Sequence, residues 1–179
     1  MQDLQEDFTL RSAQISDQKI IWEILKQAVQ RRKEDGSNQW QDGYPNAETP
    51  LIDIKNKVGF VLELKNEIVG YTAIIFDGEE AYENIEGKWL SNGNYAVIHR
   101  VAISEKFLGK GIATALFLKI EEFVKAKQIY SIKVDTNFDN IQMLKILDRL
   151  QYSYCGEVHF RGSPRKAFEK ILSSEIQKP

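Results

Sequence analysis

The stretch Val97-Ile98-His99-Arg100-Val101-Ala102-Ile103, then Ser104-Glu105-Lys106, then Phe107-Leu108-Gly109-Lys110-Gly111-Ile112-Ala113-Thr114, decides the fold. The β-branched run reads as a strand, the glycines as a turn, and the apolar residues after Gly111 as the start of a helix. Backbone N–H groups at a helix start have no partner one turn back and carry the positive end of the helix dipole. They can hold a pyrophosphate without a basic side chain. Gly109 and Gly111 allow a ligand close to the backbone, and Ala113 keeps the first turn narrow. The same residues also suit a plain helix start, because short glycine motifs are unspecific.

Two familiar phosphate-binding patterns fit poorly. A P-loop requires Lys-Ser/Thr after its last glycine, and Gly111 is followed by Ile112. A dinucleotide fold requires a further glycine or alanine where Thr114 stands, with the turn directly after the strand. Asp135, ending the next strand, does imitate the ribose-binding acid of that fold. The antiparallel hairpins on either side do not suit a doubly wound parallel sheet.

Working outward, residues 8–12 alternate as a short strand, and Ser16-Asp17 supply capping oxygens for a helix carrying Ile21, Ile24, Leu25 and Ala28 at helical spacing. Asp35-Gly36-Ser37-Asn38 ends it. Gln39-Trp40-Gln41-Asp42-Gly43-Tyr44-Pro45-Asn46 is a loop with two large aromatics, and Thr49-Pro50 reads as a helix start. Gly59 to Leu64 and Ile68 to Phe76 form a hairpin across Lys65-Asn66-Glu67, ended by Asp77-Gly78-Glu79-Glu80. Residues 79–94, with Tyr82, Ile85 and Trp89, read as an inserted loop or extended hairpin tip.

After Gly111, residues Ile112, Leu116, Ile120, Phe123 and Val124 define one apolar helix face. Ile132 to Asp135 is a buried strand, and Asp139 with Gln142 resembles a capping box for a helix from Ile141 to Leu150. Ser153 to Phe160 and Arg165 to Leu172 pair across Arg161-Gly162-Ser163-Pro164. The order predicts a mixed α/β (α+β) fold: a mostly antiparallel sheet of about seven strands flanked by about four helices, in one domain over 1–179.

Composition narrows the function. The chain has 179 residues, with 24 Lys and Arg against 26 Asp and Glu, and a net charge of −2. That balance argues against general nucleic-acid binding. A single cysteine, Cys155, excludes an internal disulfide and a Cys-rich metal site; the two histidines, His99 and His159, form no HExxH pattern, so no metal is expected. The longest apolar run, Ile68 to Phe76, has nine residues, far below the roughly 18 that span a bilayer. The acidic start, Met-Gln-Asp-Leu-Gln-Glu-Asp, is unlike a signal peptide. A soluble cytoplasmic protein is expected.

From Tyr95 to Thr114 the chain resembles the acetyl-CoA-binding motif of the GNAT superfamily of N-acetyltransferases. That family's turn reads Gln/Arg-x-x-Gly-x-Gly/Ala; here it is Leu108-x-x-Gly111-x-Ala113. The family's second landmark, Asn, helix, then Gly-Phe, is matched by Asn140 through Gln151-Tyr152. The whole chain, its Gln-Trp-Gln-Asp-Gly-Tyr-Pro-Asn loop included, is similar to a group of small bacterial GNAT proteins. Two departures stand out: Leu108 replaces the usual Gln or Arg, and Leu147 stands where many members place a tyrosine that protonates the departing thiolate.

The resemblance implies direct transfer of an acetyl group from acetyl-CoA to the amine of a small molecule or peptide. Val101, Ala102 and Ile103 would pair with the pantetheine arm, the Val101 N–H would face the thioester oxygen, and amides from Gly109, Lys110, Gly111, Ile112, Ala113 and Thr114 would hold the pyrophosphate. Asn140 would contact the pantetheine or the sulfur end. Asp135 lies where some members carry a base, or is a solvated strand-end carboxylate. His99, with the parity of Val97 and Val101, is a second candidate base or a hydrogen-bonded structural residue. Trp40, Tyr44, Tyr82 and Trp89 would line the acceptor side or pin their loops to the core. Cys155 has no activating neighbour in sequence, so packing is its expected role. His159, Arg161, Arg165 and Lys166 read as hairpin surface. The last hairpin is an edge through which a homodimer could form. A non-catalytic acyl-CoA-binding module on the same fold is the competing class.

Overall fold

The computed structural model describes residues 7–76 and 78–173. The acidic start at residues 1–6 and Asp77 lie outside the described residues. The described residues form eight strands and five helices. The chain forms two compact units: the residues up to Ile74 with His99–Lys119, and Ile75–Ile98 with Ile120 onward.

In the first unit, β1 (Phe8–Ser12) pairs antiparallel with β2 (Gly59–Leu64), and β2 with β3 (Glu67–Ile75). Lys65 and Asn66 both take positive φ, 50° and 66°, the backbone that a two-residue hairpin turn needs to match strand twist. Helix α1 (Gln18–Glu34) buries the predicted face, Ile21, Ile24, Leu25 and Ala28, against Val61, Tyr71 and Ala102. Burial of each large aliphatic there contributes roughly 2 kcal/mol. Asp17 acts one residue group earlier than a helix cap: it accepts from the Gln14 N–H at 2.8 Å and from Arg11 at 2.6 Å, closing the 3₁₀ turn that precedes α1. Helix α2 (Thr49–Lys55) starts at Thr49 with Pro50 in its first turn, where no N–H is required.

In the second unit, the first half of β5 (Ala96–Ile103) runs parallel to β6 (Ser131–Thr136), with Val97 opposite Lys133. β6 pairs antiparallel with β8 (Ser163–Ile171), and β8 with β7 (Ser153–Phe160). The last turn is shorter than the sequence suggests. Arg161 and Gly162 both take positive φ, so two residues reverse the chain and Ser163-Pro164 joins the strand.

Residues 79–94 account for the strand and helix beyond the expected numbers. They hold a one-turn helix, α3 (Glu80–Glu83), and a two-residue strand, β4 (Glu86–Gly87), on the outer edge of β7. Two glycines make that crossing possible. A Cβ on Gly156 would lie 2.2 Å from Glu86 O, and one on Gly87 would lie 2.1 Å from Cys155 O. Because β4 covers β7 at Gly156 and Glu157, that stretch of the last hairpin is not an open edge. Glu169, fully buried, fastens the end of the insert by accepting from Leu90 N at 2.6 Å, Ser91 N at 3.3 Å and the Ser91 hydroxyl, and it also takes Ser131 Oγ at 2.7 Å.

Helix α4 (Ile112–Ala126) buries Ile112, Leu116, Ile120 and Val124, as its periodicity predicts. Helix α5 (Ile141–Arg149) is capped by Asn140 and not by Asp139: Asn140 Oδ1 accepts from Met143 N at 3.2 Å. The cap falls one residue later because Ile141 is the first helical residue.

Candidate active site

The site begins at a break in β5. Arg100 has φ +56°, a left-handed backbone that costs a non-glycine residue roughly 1–2 kcal/mol. Its side chain supplies compensation. Arg100 donates from Nε to Asp53 Oδ2 at 2.9 Å, from Nη2 to Asp53 Oδ1 at 2.7 Å and from Nη1 to the Tyr44 hydroxyl. Tyr71 donates its hydroxyl to Asp53 Oδ2 at 2.5 Å. The Arg100 and Asp53 side chains are 12% and 6% exposed, so this is a fork-to-carboxylate pair shielded from water. Burial opposes the charge on Arg100, but Tyr44, Asp53 and Tyr71 together outweigh it and raise its pKa. Burial, then the Asp53 charge, pushes the Tyr71 phenol up.

The break has a consequence for His99. Strand parity puts His99 on the face of Val97 and Val101, but alternation holds only along regular strand. A left-handed residue between His99 and Val101 interrupts it. His99 is half-buried, and its carbonyl accepts from Thr72 Oγ1 at 3.0 Å.

Beyond the break, Val101 is half-buried while Ala102 and Ile103 are buried. Helix α1 braces the strand end: Arg31 Nη2 donates to Ile103 O at 3.0 Å, and Glu105 N donates to Gln27 Oε1 at 2.9 Å. A 3₁₀ turn (Glu105–Phe107) and the exposed Leu108 lead into Gly109 and Gly111, with φ +72° and +77°. A Cβ at either glycine would meet nothing within 4 Å. Glycine is needed here for backbone angle, and the space beside the turn is open. Lys106 and Lys110 hold their ammonium groups 5.1 and 5.4 Å from the Phe107 ring. The first helical bond of α4 is Ala115 N to Gly111 O at 3.0 Å. The amides of Ile112, Ala113 and Thr114 precede it and form the first-turn donor set.

In the second unit, Asp135 on β6 accepts from the Tyr82 hydroxyl at 2.7 Å, and Arg165 Nη1 lies 3.7 Å from its other oxygen. The Asp135 side chain is 4% exposed, so it is not the solvated strand-end carboxylate that the sequence left open. Tyr82 is itself 1% exposed, and burial, then Asp135, pushes its phenol well above the ordinary value. Trp89 stacks 5.1 Å from Tyr82 and donates Nε1 to its carbonyl at 2.9 Å. Tyr82 and Trp89 therefore pin the insert to the core. Trp40 packs on the core of the first unit, while Tyr44 reaches Arg100.

The chain is similar to known proteins. The model of the acetyltransferase (GNAT) family matches residues 22–151. A GNAT-family acetyltransferase from Streptococcus agalactiae is 34% identical, with a TM-score of 0.86 over 93% of this chain and 96% of that one. This chain belongs to the GNAT acetyltransferase family. A protein from Staphylococcus aureus described as an acetyltransferase is 27% identical, with a TM-score of 0.68 over 92% of this chain and 99% of that one. A Salmonella typhimurium protein described as an acetyltransferase, solved with its cofactor acetyl-CoA, shares the fold at 14% identity and a TM-score of 0.66 over 96% and 98% of the two chains. No curated protein matches the sequence.

Several GNAT landmarks take local form here. Asn140 commits its side-chain oxygen to the α5 cap. Leu147 is fully buried on α5, so its side chain packs in the core of this GNAT acetyltransferase. Cys155 is buried and donates its thiol to Ser153 O at 3.4 Å; burial, then the Glu169 charge, raises its pKa, which keeps it a thiol near neutrality. His159 lies 3.7 Å from Glu86. Among the described residues no group of three or more His, Cys, Asp or Glu is arranged to hold a metal, and no helix is long and apolar enough to cross a membrane.

Sequence reasoning missed Asp53, Tyr71, Arg31 and Gln27. No local pattern marks them, since each acts on a residue in another element, 18 to 78 positions away. It also missed Arg100, although this residue lies inside the deciding motif. A left-handed arginine within a β-rich run has no signature of its own.

Proposed function

We propose that this GNAT acetyltransferase moves the acetyl group of acetyl-CoA directly to a primary amine of a small molecule or peptide, working as a single domain over 1–179. The observation that carries the reading is the strand, open turn and helix in series: β5 broken at Arg100, Gly109 and Gly111 beside clear space, then the first-turn amides of α4. Val101 to Ile103 offer a strand end to the pantetheine arm. Gly109 to Thr114 offer amides to the pyrophosphate; with Leu108 in place of a polar side chain, the backbone carries that contact. The Val101 N–H would stabilise the tetrahedral oxyanion, a contact of a kind often worth ~3 kcal/mol. Asn140 serves the sulfur end.

An ammonium cannot attack, so a group must take its proton. Asp135 and His99 are the two candidate acceptors. Trp40, Tyr44, Tyr82 and Trp89 shape the acceptor side, the buried Tyr82 acting through its bond to Asp135. A thiol pKa near 8.5 lets CoA leave as thiolate, so the buried Leu147 is compatible with turnover. No metal takes part. The reading suits a soluble bacterial cytoplasmic protein.

The test has two arms. Acetyl-CoA is expected to raise the melting temperature, and Gly111→Glu to abolish that rise, because its carboxylate enters the pyrophosphate space. A Cβ there meets nothing within 4 Å, but φ +77° strains any side chain, so Gly111→Ala, which adds the strain without the carboxylate, is the control and should keep most of the rise. An unchanged rise removes the pyrophosphate assignment, and a response to NADH with none to CoA points to a dinucleotide instead. The second arm is thiol release from acetyl-CoA across polyamines, aminoglycosides, amino acids and peptides. Binding without release from any amine supports the non-catalytic module.

A further inference from the structure

Arg100 joins two parts of the molecule that the proposed chemistry must hold in register. Its backbone forms the left-handed step directly before Val101. Its side chain has all three nitrogens engaged: two on Asp53 of α2, and one on Tyr44 of the loop between α1 and α2. Asp53 is held in turn by the Tyr71 hydroxyl of β3. The Tyr44 ring also lies 6.0 Å from the guanidinium carbon. A planar fork bound at every nitrogen has little rotational freedom. Movement of the Tyr44 loop must therefore either break a shielded bond or pull on the peptide that presents the Val101 N–H.

We propose that Arg100 is a positioning residue that couples the Tyr44 loop to the Val101 amide, so that acceptor-loop order and the aim of the oxyanion donor are set by one guanidinium. This rests on the acyl-transfer reading above. Tyr44 is the side of the coupling that meets the acceptor, and Val101 is the side that meets the thioester. Arginine is required because lysine has one nitrogen and cannot bridge a carboxylate and a phenol in fixed geometry.

The experiment combines backbone amide hydrogen exchange with steady-state thiol release, on the full chain, for Tyr44→Phe and Arg100→Lys. Tyr44→Phe removes one hydroxyl and leaves the Asp53 pair, so it tests the coupling without threatening the fold. It should speed exchange in residues 40–47 and at 100–102 by about tenfold, while β1 and β2 keep their protection. With the best amine of the panel, its amine KM should rise and its kcat should fall about fivefold, because the loosened loop also loosens the Val101 amide. Arg100→Lys should speed exchange in both segments and lower kcat by ~100-fold, the scale of a small misplacement of reacting groups. The acetyl-CoA-induced melting shift should survive in both variants. Unchanged exchange in residues 40–47 in both variants would overturn the coupling. Faster exchange with normal kinetics would also overturn it, leaving Arg100 as a brace of the fold. If the wild-type protein releases no thiol with any amine, the acyl-transfer reading fails, and the exchange pattern still decides whether the coupling exists.

Discussion

Each compact unit buries one aspartate that accepts from a tyrosine and faces an arginine. In the first unit, Asp53 takes Tyr71 at 2.5 Å and both prongs of Arg100 at 2.7 and 2.9 Å. In the second, Asp135 takes Tyr82 at 2.7 Å, but Arg165 stands off at 3.7 Å. The arginine side chains differ too: Arg100 is 12% exposed and Arg165 is 23%. Arg165 Nε, although buried, has no hydrogen-bond partner among the described residues. The same three residue types thus make a two-pronged guanidinium–carboxylate pair in one unit and a phenol–carboxylate bond with a distant arginine in the other. A carboxylate whose two oxygens are held by a two-pronged guanidinium is fixed in place, so it serves geometry. The second carboxylate is held by a phenol, with its arginine at 3.7 Å, and is the one proposed above for proton transfer.

The largest expected effect lies in the two-pronged pair. Asp53→Asn leaves the Arg100 charge buried without its counterion and should cost about 3–5 kcal/mol of stability. Asp135→Asn keeps an acceptor for Tyr82 and weakens an arginine pairing that is already 3.7 Å long, so it should cost less, about 1–2 kcal/mol. Urea unfolding of the two variants side by side measures the contrast, and equal losses would break it.

Turnover tests the second carboxylate directly. Asp135→Asn, His99→Gln or both should lower thiol release at neutral pH by ~100-fold or more, with acetyl-CoA affinity nearly intact. The donor is held mainly by backbone in this reading, so these side chains matter little to it. The loss should shrink as pH rises, because more of the amine acceptor is then already neutral. Normal turnover in both variants across the pH range would leave water, or the amine's own deprotonation, as the route.

The phenols sharpen the comparison in alkali. Burial, then the neighbouring carboxylate, raises Tyr71 and Tyr82, and burial, then Glu121, raises Tyr152. Their folded pKa values exceed the ordinary phenol value of 10.0, so below that value they do not make stability vary with pH. Above it the unfolded chain releases protons that the folded chain retains, and stability falls by up to about 1.4 kcal/mol per pH unit for each phenol. Tyr71→Phe and Tyr82→Phe should each make the fall in the urea midpoint between about pH 9 and pH 11 less steep. Identical slopes in wild type and both variants would mean that neither phenol is shifted.

Cys155 supplies the smallest effect. It is buried with neither a phenol nor a guanidinium on its sulfur, and its thiol pKa is raised. Cys155→Ala should retain activity within about twofold. An acetyl group trapped on Cys155, or ping-pong kinetics, would contradict direct transfer.

Much of the fold was legible because hydrophobic period reports which face is buried. The faces of α1 and α4 emerge as predicted, and β2 matches at both ends. Turn chemistry was legible in part. Lys65-Asn66-Glu67 reads as a hairpin turn one residue too long, since Glu67 pairs with Leu64, and Arg161-Gly162 was read two residues too long, because Ser163-Pro164 resembles loop until its partner strand is known. The insert was opaque. Nothing local says that Glu169, some eighty residues away, fastens Leu90 and Ser91.

By itself the sequence determined the strand, turn and helix from Val97 to Thr114 and the donor chemistry that this series suggests, since backbone angle, helix start and period are local properties. It also determined the family, through Leu108-x-x-Gly111-x-Ala113 and Asn140. Only the tertiary structure decided which glycines face open space and which face another chain segment. Gly109 and Gly111 have nothing near them, whereas Gly87 and Gly156 lie almost against each other's backbone. It alone decided that Arg100 turns left-handed, that Asp53 holds it there, and that Asp135 lies buried beneath Tyr82. Those outcomes depend on contacts between residues tens of positions apart. Burial and charge pairing at such range are set by packing, which no window along the chain contains.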